Sequence, residues 1–267
     1  MGPRHLVVSF CIAAASTTAA AQAFQPYEGQ PGKDVVWVPT SRVLVEKMLD
    51  LAGVTAKDFV KDLGSGDGRM VIAAAKRGAR AVGVEYEPDM VALARKNAQE
   101  AGVAERAQFI EGDMYEADIS KATVLALFLL PGNLHRLVPK FLGLPAGTRI
   151  ITNSYRIEDW QEDEQLHLSD CITWCTAYLY LVPAKVEGAW RLPAGELRFK
   201  QNYRILEGVL VGKDGRETKV DGTVTADRVR YNAGLNTYTG RLHGERISGQ
   251  VSGASGGAFS ASRVNKK

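Results

Sequence analysis

A glycine-rich stretch at residues 60–69 has the composition of a loop that binds a ligand through its backbone. The apolar run from Phe59 to Leu63 is followed by Gly64, Gly66 and Gly68, and residues 70–75 are again apolar. This order predicts a strand, a tight turn and a helix. Glycines permit the sharp turn and let a ligand lie close to backbone N–H groups. A plain strand-to-helix turn would have the same pattern, so the loop alone does not decide the function.

Acidic residues end three successive predicted strands. Asp62 lies in the first, Glu85 follows the run 81–84, and Asp113 follows the run 107–112. In α/β folds that bind nucleotides, an acid about 20 residues beyond the glycine loop accepts hydrogen bonds from the ribose hydroxyls. Arg69 stands where a dinucleotide-binding fingerprint would have its third glycine, which argues against a dinucleotide.

The spacing acidic-x-Gly-x-Gly-x-Gly, with the two later acid-tipped strands, resembles class I S-adenosylmethionine (SAM) methyltransferases. The resemblance implies an α/β fold with a seven-strand Rossmann-like sheet, SAM as cofactor, and an acid beside the adenine at the third strand. It implies that the following residues bind SAM: Thr40, Asp62, Gly64, Ser65, Gly66, Gly68, Glu85, Asp113 and Met114.

A narrower resemblance rests on four segments: residues 38–41, residues 62–69, Leu129-Leu130-Pro131, and residues 153–155 with Trp160. Together they are similar to the mitochondrial lysine methyltransferases of the ATP synthase c subunit and of the adenine nucleotide translocase, and to their bacterial relatives. The similarity covers about residues 35–182. It implies methyl transfer to an amine, with a protein lysine as the expected acceptor.

The acceptor is expected beyond the fifth strand, beside Tyr155 and Trp160. A neutral amine would displace the methyl group in line, and alignment of the reactants can contribute about 7–11 kcal/mol. Aromatic surroundings would lower the pKa of the amine by desolvation, and the acidic segment 158–164 could attract a basic substrate. No residue is identified as a general base.

Two other functions remain open. One is a methyltransferase acting on an amine or hydroxyl of a small molecule, and the other is a non-catalytic binding protein of the cell envelope. Phe128 to Pro131 occupies the place of the Asn/Asp-Pro-Pro-aromatic motif, which argues against methylation of adenine N6 or glutamine. The net charge of +3 is too small to indicate nucleic acid binding, and no metal-ligand spacing is present.

The first 23 residues have the pattern of a secretory signal peptide. Arg4 and His5 precede an apolar run, and Ala21-Gln22-Ala23 gives a cleavage site. We therefore expect a periplasmic or secreted protein, and no transmembrane helix in the mature chain. How SAM would reach an exported enzyme is not evident from the sequence.

Domain boundaries follow from changes in composition. Residues 24–34 have the composition of a polar linker, and residues 35–182 that of the methyltransferase domain, with a helix ahead of the first strand that begins at Thr40 or Ser41. Residues 183–251 predict a small antiparallel β module from short strands and glycine turns. Residues 252–267, rich in Gly, Ser and Ala, predict a flexible tail.

Charge and cysteines complete the prediction. Residues 183–267 hold 15 Lys and Arg against 8 Asp and Glu, so the C-terminal part is basic. Cys171 and Cys175 lie in a predicted strand from Ile172 to Val182 and its approach. On one straight strand they would be about 13 Å apart, too far to bridge. We therefore expect two unpaired thiols unless a local turn or a partner chain joins them.

Overall fold

The N-terminal segment folds back on itself before the first helix. The computed structural model describes residues 24–264, so the predicted signal peptide lies outside the described part. β1 (Gln30–Pro31) pairs with β2 (Val36–Trp37), and α1 (Arg42–Leu51) follows. The Ser41 hydroxyl accepts a hydrogen bond from the Leu44 N–H at 3.2 Å, so Ser41 is the N-cap. No helix within residues 24–264 has the length and apolar character to cross a membrane.

The next elements build the seven-strand mixed sheet that the sequence predicts. They are β3 (Phe59–Leu63), α2 (Arg69–Lys76), β4 (Arg80–Glu85), α3 (Pro88–Glu100), β5 (Ala107–Glu111), β6 (Val124–Leu127), α4 (Pro131–Phe141), β7 (Arg149–Asn153), β8 (Glu164–His167) and β9 (Thr176–Leu181). The strand order is β5-β4-β3-β6-β7-β9-β8. Of the seven strands, β9 alone runs opposite to the other six. The carboxyl ends of β3 to β7 therefore meet at one edge of the sheet.

Strand β6 shows why the sheet is covered on both sides. Its four residues are at most 1% exposed, as expected for a central parallel strand. Val124 and Ala126 pack into the core beneath α1, α2 and α3, whereas Leu125 and Leu127 pack into the core beneath α4. Successive side chains of a strand point to opposite faces, so a continuous apolar run is what this position requires.

The C-terminal part is a closed antiparallel barrel of eight strands. Its strands are β10 (Gly188–Leu192), β11 (Gly195–Asn202), β12 (Ile205–Gly212), β13 (Glu217–Thr225), β14 (Arg228–Ala233), β15 (Asn236–His243), β16 (Arg246–Gly253) and β17 (Gly257–Arg263). β10 pairs with β17, Trp190 opposite Arg263, and this pairing closes the barrel. Alternate side chains fill the interior, among them Trp190, Phe199 and Tyr231.

The predicted flexible tail is wrong for most of its length. Residues 257–263 form β17, in which Phe259 and Ala261 are buried in the barrel. Strand β10 lies within the predicted β module. Each of the two strands pairs with its neighbour in the chain, β10 with β11 and β17 with β16, and the two also pair with each other across the ends of the module. Their pairing is a long-range contact that no local pattern reveals.

The expectation of unpaired thiols is also wrong, because Cys171 and Cys175 form a disulfide. The predicted strand begins only at Thr176, and the residues before it form a turn. Their Cα atoms lie 5.6 Å apart, within the range that a disulfide spans.

The barrel is attached to the sheet domain through the loop between β7 and β8. The indole of Trp160 stacks on Tyr203 of the barrel, with ring centroids 5.0 Å apart. On its other side it meets the edge of Tyr180 at 5.6 Å. Asp163 of the same loop pairs with Arg204 at 3.1 Å, and the Asp163 side chain is 7% exposed. An apolar stack and a buried ion pair therefore hold the two parts together.

We predict that Arg204→Gln lowers the free energy of unfolding by about 3 kcal/mol, because it leaves a buried carboxylate without its cation. Burial already raises the pKa of Asp163, and without Arg204 the folded state should hold its proton to higher pH. The loss should therefore be smaller near about pH 4, where Asp163 is partly protonated. Denaturant titration at two pH values measures both effects.

Arg216→Gln is the matched control. Arg216 pairs with Asp214 at 3.4 Å, but the side chains are 89% and 60% exposed. The same substitution there should cost about 1 kcal/mol or less. Equal losses in the two variants would show that the Asp163–Arg204 pair does not stabilise the junction.

Candidate active site

A cleft opens at the carboxyl edge of the sheet. It is bordered by the ends of β3, β4 and β6, by the loop after β5, and by the N-terminal segment. Eight of the nine residues predicted to bind the cofactor line it: Thr40, Asp62, Gly64, Ser65, Gly66, Glu85, Asp113 and Met114. The sheet topology thus brings together residues that are up to 74 positions apart in the chain.

Gly68, the ninth residue, has a different place. It precedes the first residue of α2 with φ of 83°, a backbone conformation that favours glycine. A Cβ atom at this position would lie 2.6 Å from the ring of Phe109. Gly68 therefore allows α2 to pack close to the sheet and does not itself line the cleft.

The carboxylate of Glu85 fixes the glycine turn. Its Oε2 accepts a hydrogen bond from the Gly66 N–H at 2.8 Å, and its Oε1 accepts from the N–H groups of Tyr86 and Glu87 at 2.8 and 3.1 Å. Gly66 has φ of 51°, which presents its N–H to the carboxylate. A carboxylate has about four acceptor positions, so Glu85 can also accept from ligand hydroxyls at the cleft.

Asp62 gives the cleft its electrostatic character. Its side chain lies at the end of β3 and the residue is 6% exposed. Burial raises the pKa of Asp62 well above its ordinary value, and the nearby carboxylates of Glu85 and Asp67 raise it further. Three acids around one buried position favour a ligand that brings positive charge.

The N-terminal segment forms one wall of the cleft, since residues 30–40 all line it. The Trp37 indole lies against the glycine turn, 2.6 Å from where a Cβ of Gly66 would stand. Lys33 pairs with Asp113 at 2.6 Å and lies over the ring of Tyr86 at 4.7 Å. The hydrogen bond from Lys33 lowers the pKa of Asp113. Residues 30–34 thus belong to the site, although their composition predicts only a linker.

Thr40 connects this wall to the rest of the cleft. Its hydroxyl accepts a hydrogen bond from Asn153 Nδ2 at 3.1 Å, and its backbone carbonyl accepts from Arg69 Nη1 at 2.7 Å. Asn153 ends β7 and Arg69 begins α2. Thr40 is therefore held from both sides of the sheet, and it keeps the N-terminal segment in place.

Three aromatic rings stand at the other end of the cleft, and we call Phe128, Tyr155 and Trp174 the aromatic cluster. Tyr155 and Trp174 have ring centroids 5.6 Å apart, Phe128 and Trp174 also 5.6 Å, and Phe128 and Tyr155 6.3 Å. All three line the cleft. They follow β6 and β7 and precede the antiparallel β9, so all lie at the same edge of the sheet. Sequence reasoning missed Trp174, because it treated the segment as part of a regular strand.

Trp160 is not part of the cleft, which corrects the prediction that it borders the substrate. It is 2% exposed and packs between the two domains. The acidic segment is also partly used for structure, since Glu162 pairs with Arg156 and Asp163 with Arg204. Of the two residues predicted to contact the acceptor, Tyr155 lines the cleft and Trp160 does not.

The residues of the cleft fit SAM. Glu85 offers acceptors for ribose hydroxyls, and the glycines leave room for a ligand against the backbone. The buried Asp62, raised in pKa by burial and by like charges, suits a cofactor that carries ammonium and sulfonium groups. Sheet order and site together define a class I SAM-dependent methyltransferase.

Similarity to known proteins supports the same class of enzyme. Residues 62–164 match the ANTKMT methyltransferase domain. The chain is 39% identical to a protein-lysine N-methyltransferase of Saccharolobus islandicus, over 55% of this chain and 94% of that protein. It is 35% identical to the mouse adenine nucleotide translocase lysine N-methyltransferase, over 48% of this chain. The match spans 56% of the mouse protein, little more than half its length.

A crystal structure of an RNA methyltransferase from Salinibacter ruber with S-adenosyl-L-homocysteine is also similar. It is 45% identical with a TM-score of 0.53, covering 56% of this chain and 96% of that one. The chain belongs to the family of SAM-dependent methyltransferases that contains the mitochondrial and archaeal lysine methyltransferases. The predicted family, cofactor and enzyme class are confirmed.

We predict that Glu85→Ala weakens SAM binding by about 1–3 kcal/mol, because ligand hydroxyls and the Gly66 N–H both lose an acceptor. Isothermal titration calorimetry with SAM measures the change. Glu111→Ala is the matched control, since Glu111 lies opposite Glu85 in the pairing of β4 and β5 but is exposed. An unchanged affinity in the Glu85 variant would contradict the role given to this carboxylate.

Proposed function

We propose that this enzyme transfers the methyl group of SAM to the side-chain amine of a protein lysine. The observation that carries the proposal is the 39% identity to a protein-lysine N-methyltransferase across 94% of that protein. The match covers 55% of this chain, and the matching family model lies within the sheet domain, at residues 62–164. The barrel would then contribute to the choice of the protein substrate.

The acceptor end of the cleft supports an amine. Among the described lining residues on the β6–β7–β9 side, Tyr155 is the ionisable side chain. A hydroxyl acceptor needs a base to remove its proton during the reaction. An amine that is already neutral when it binds needs no base during methyl transfer. An aromatic opening without a carboxylate or imidazole therefore suits an amine better than a hydroxyl.

Different residues of the cleft would bind the cofactor and the acceptor. SAM supplies a methyl group activated on a sulfonium. Glu85, Asp62 and the glycine turn would hold the cofactor, and the N-terminal segment, which lines the same cleft, would contribute one wall of its site. The aromatic cluster would bind the acceptor side chain, and a lysine, whose pKa in water is about 10.4, must lose its proton before its nitrogen can attack the methyl group. Alignment of amine and methyl group then supplies most of the rate acceleration.

RNA methylation is the second candidate, because the Salinibacter relative is described as an RNA methyltransferase. Residues 183–267 hold 15 Lys and Arg against 8 Asp and Glu, and this excess of positive charge also favours it. Against it, Phe128 to Pro131 replaces the tetrapeptide that enzymes acting on planar nitrogens carry at this place. A small-molecule acceptor is the third possibility.

The deciding experiment incubates labelled SAM with a fractionated cell extract and the purified enzyme. We expect the label in protein. Mass spectrometry should then show lysine residues whose mass has increased by a whole number of methyl groups. The rate should rise with pH until the bound amine is deprotonated. The Glu85→Ala variant is the control for transfer by other enzymes. Label confined to RNA or to small molecules would refute the lysine acceptor and leave the SAM-dependent transferase intact.

We further propose that the enzyme is exported. The signal-peptide pattern of residues 1–23 motivates the proposal, and the Cys171–Cys175 disulfide supports it. Disulfides persist in oxidising compartments outside the cytosol and are rare within it.

An exported chain should begin at Phe24. Mass spectrometry of the protein isolated from its native cells tests this, with Ala23→Arg as a variant in which cleavage should fail. If most of the native protein still carries residues 1–23, the proposal of export is contradicted.

A further inference from the structure

The segment between the two cysteines has an unusual backbone. Trp174 has φ of 58°, a left-handed conformation that is costly for a bulky side chain. It is 37% exposed, and its ring nevertheless lies against Tyr155 and Phe128 instead of in solvent. A conformation of this kind persists only when the surroundings hold it.

The surroundings that hold Trp174 are few. Ile172 beside it is 99% exposed and Thr173 is exposed, so the tip of the loop has little packing of its own. After Trp174 the chain enters β9, whose first residue, Thr176, accepts a hydrogen bond at its carbonyl from the Ser154 N–H at 2.7 Å. Before it, the Leu168 N–H donates a hydrogen bond to the Cys175 carbonyl at 3.0 Å, and the Cys171–Cys175 disulfide closes the loop nearer to its tip. The disulfide is thus the constraint that lies nearest to Trp174 on its N-terminal side.

The position of the ring matters because of what it faces. The three rings of the aromatic cluster contact one another at centroid separations of 5.6 to 6.3 Å, and all three line the cleft. An ammonium or methylammonium group is attracted to aromatic faces, and an aliphatic stem packs against them. The chemistry of the cluster therefore matches an amine on a flexible alkyl chain.

We propose that Phe128, Tyr155 and Trp174 form the acceptor site for such an amine, and that the Cys171–Cys175 disulfide holds Trp174 in it. The proposal deepens the proposed function, on which its choice of an amine rests. Trp174 touches the acceptor, whereas the two cysteines are positioning residues that act through it. Reduction of the disulfide should release the loop and open the site.

The test measures binding of a defined probe to the full chain by nuclear magnetic resonance. The probe is N-acetyl-trimethyllysine methylamide, and its neutral counterpart N-acetyl-norleucine methylamide has a similar stem without the cation. The Trp174 indole N–H signal is identified by its absence in Trp174→Phe. We expect the cationic probe to shift this signal and the neutral probe to bind at least fivefold more weakly.

Substitutions separate the contact from the fold. Trp174→Ala should weaken probe binding at least tenfold, Trp174→Phe should retain it within about threefold, and Ile172→Ala should leave it unchanged. The affinity for SAM should stay within twofold in all three. If Trp174→Ala binds the probe as the parent does, or if the neutral probe binds equally well, the acceptor site is placed wrongly.

The role of the disulfide is tested by reducing it with tris(2-carboxyethyl)phosphine. The disulfide gains two electrons and two protons to give two thiols, and the phosphine becomes its oxide with oxygen from water. We expect reduction to weaken probe binding at least fivefold. The Cys171→Ser/Cys175→Ser double variant should bind as weakly as the reduced chain and should not respond to the reductant. Equal binding by oxidised and reduced chains would overturn the role of the disulfide.

The outcomes also separate this proposal from the lysine assignment. If the probe binds as expected but no lysine is methylated in the extract, the proposed substrate is wrong and the amine site stands. If lysines are methylated but the Trp174 signal and variants are indifferent to the probe, the acceptor enters elsewhere and the present proposal fails alone.

Discussion

The three hydrogen bonds of the Glu85 carboxylate are the interaction on which the site depends. They tie the glycine turn to the start of α3 and fix the N–H groups between them. A turn of positive-φ glycines has many alternatives in the unfolded chain, and ordering it costs conformational entropy. Charge-assisted hydrogen bonds to a fixed strand end offset part of that cost. The Glu85 side chain therefore fixes the backbone of the glycine turn that lines the cleft, and this gives the cleft its shape.

The sheet follows from the sequence because its pattern is local and regular. The buried run 124–127, the glycines after β3 and the acids after β4 and β5 each reveal a strand end, and parallel strands put those ends at one edge. For this reason eight lining residues of the cleft could be identified from the sequence. Lys33 was missed because its segment has no periodicity, and Trp174 was missed because its segment has the pattern of a strand. They reach the cleft only through the β1–β2 hairpin and through a disulfide turn.

The errors at Trp160 and at the C-terminus have a common origin. An aromatic residue after the fifth strand suits an acceptor pocket and an interdomain stack equally well, and only the arrival of Tyr203 decides between them. Likewise, Gly257 to Arg263 has the composition of a tail, and its pairing with the neighbouring β16 and with the distant β10 makes it a strand. In both cases a contact with another element decides the structure. Local composition predicts elements well and predicts their partners poorly.

The pairing of β10 with β17 also determines how this barrel can be used as a building block. Because the first and last strands are neighbours, the chain enters and leaves the barrel at adjacent points. Such a module can be joined to a host by a single connection, or inserted into a host loop, without opening its ring of strands. Recombination could therefore combine this catalytic domain with other modules while the sheet stays unchanged. If the barrel contributes to the choice of substrate, as we propose, its exchange would direct the same catalytic domain to a new target.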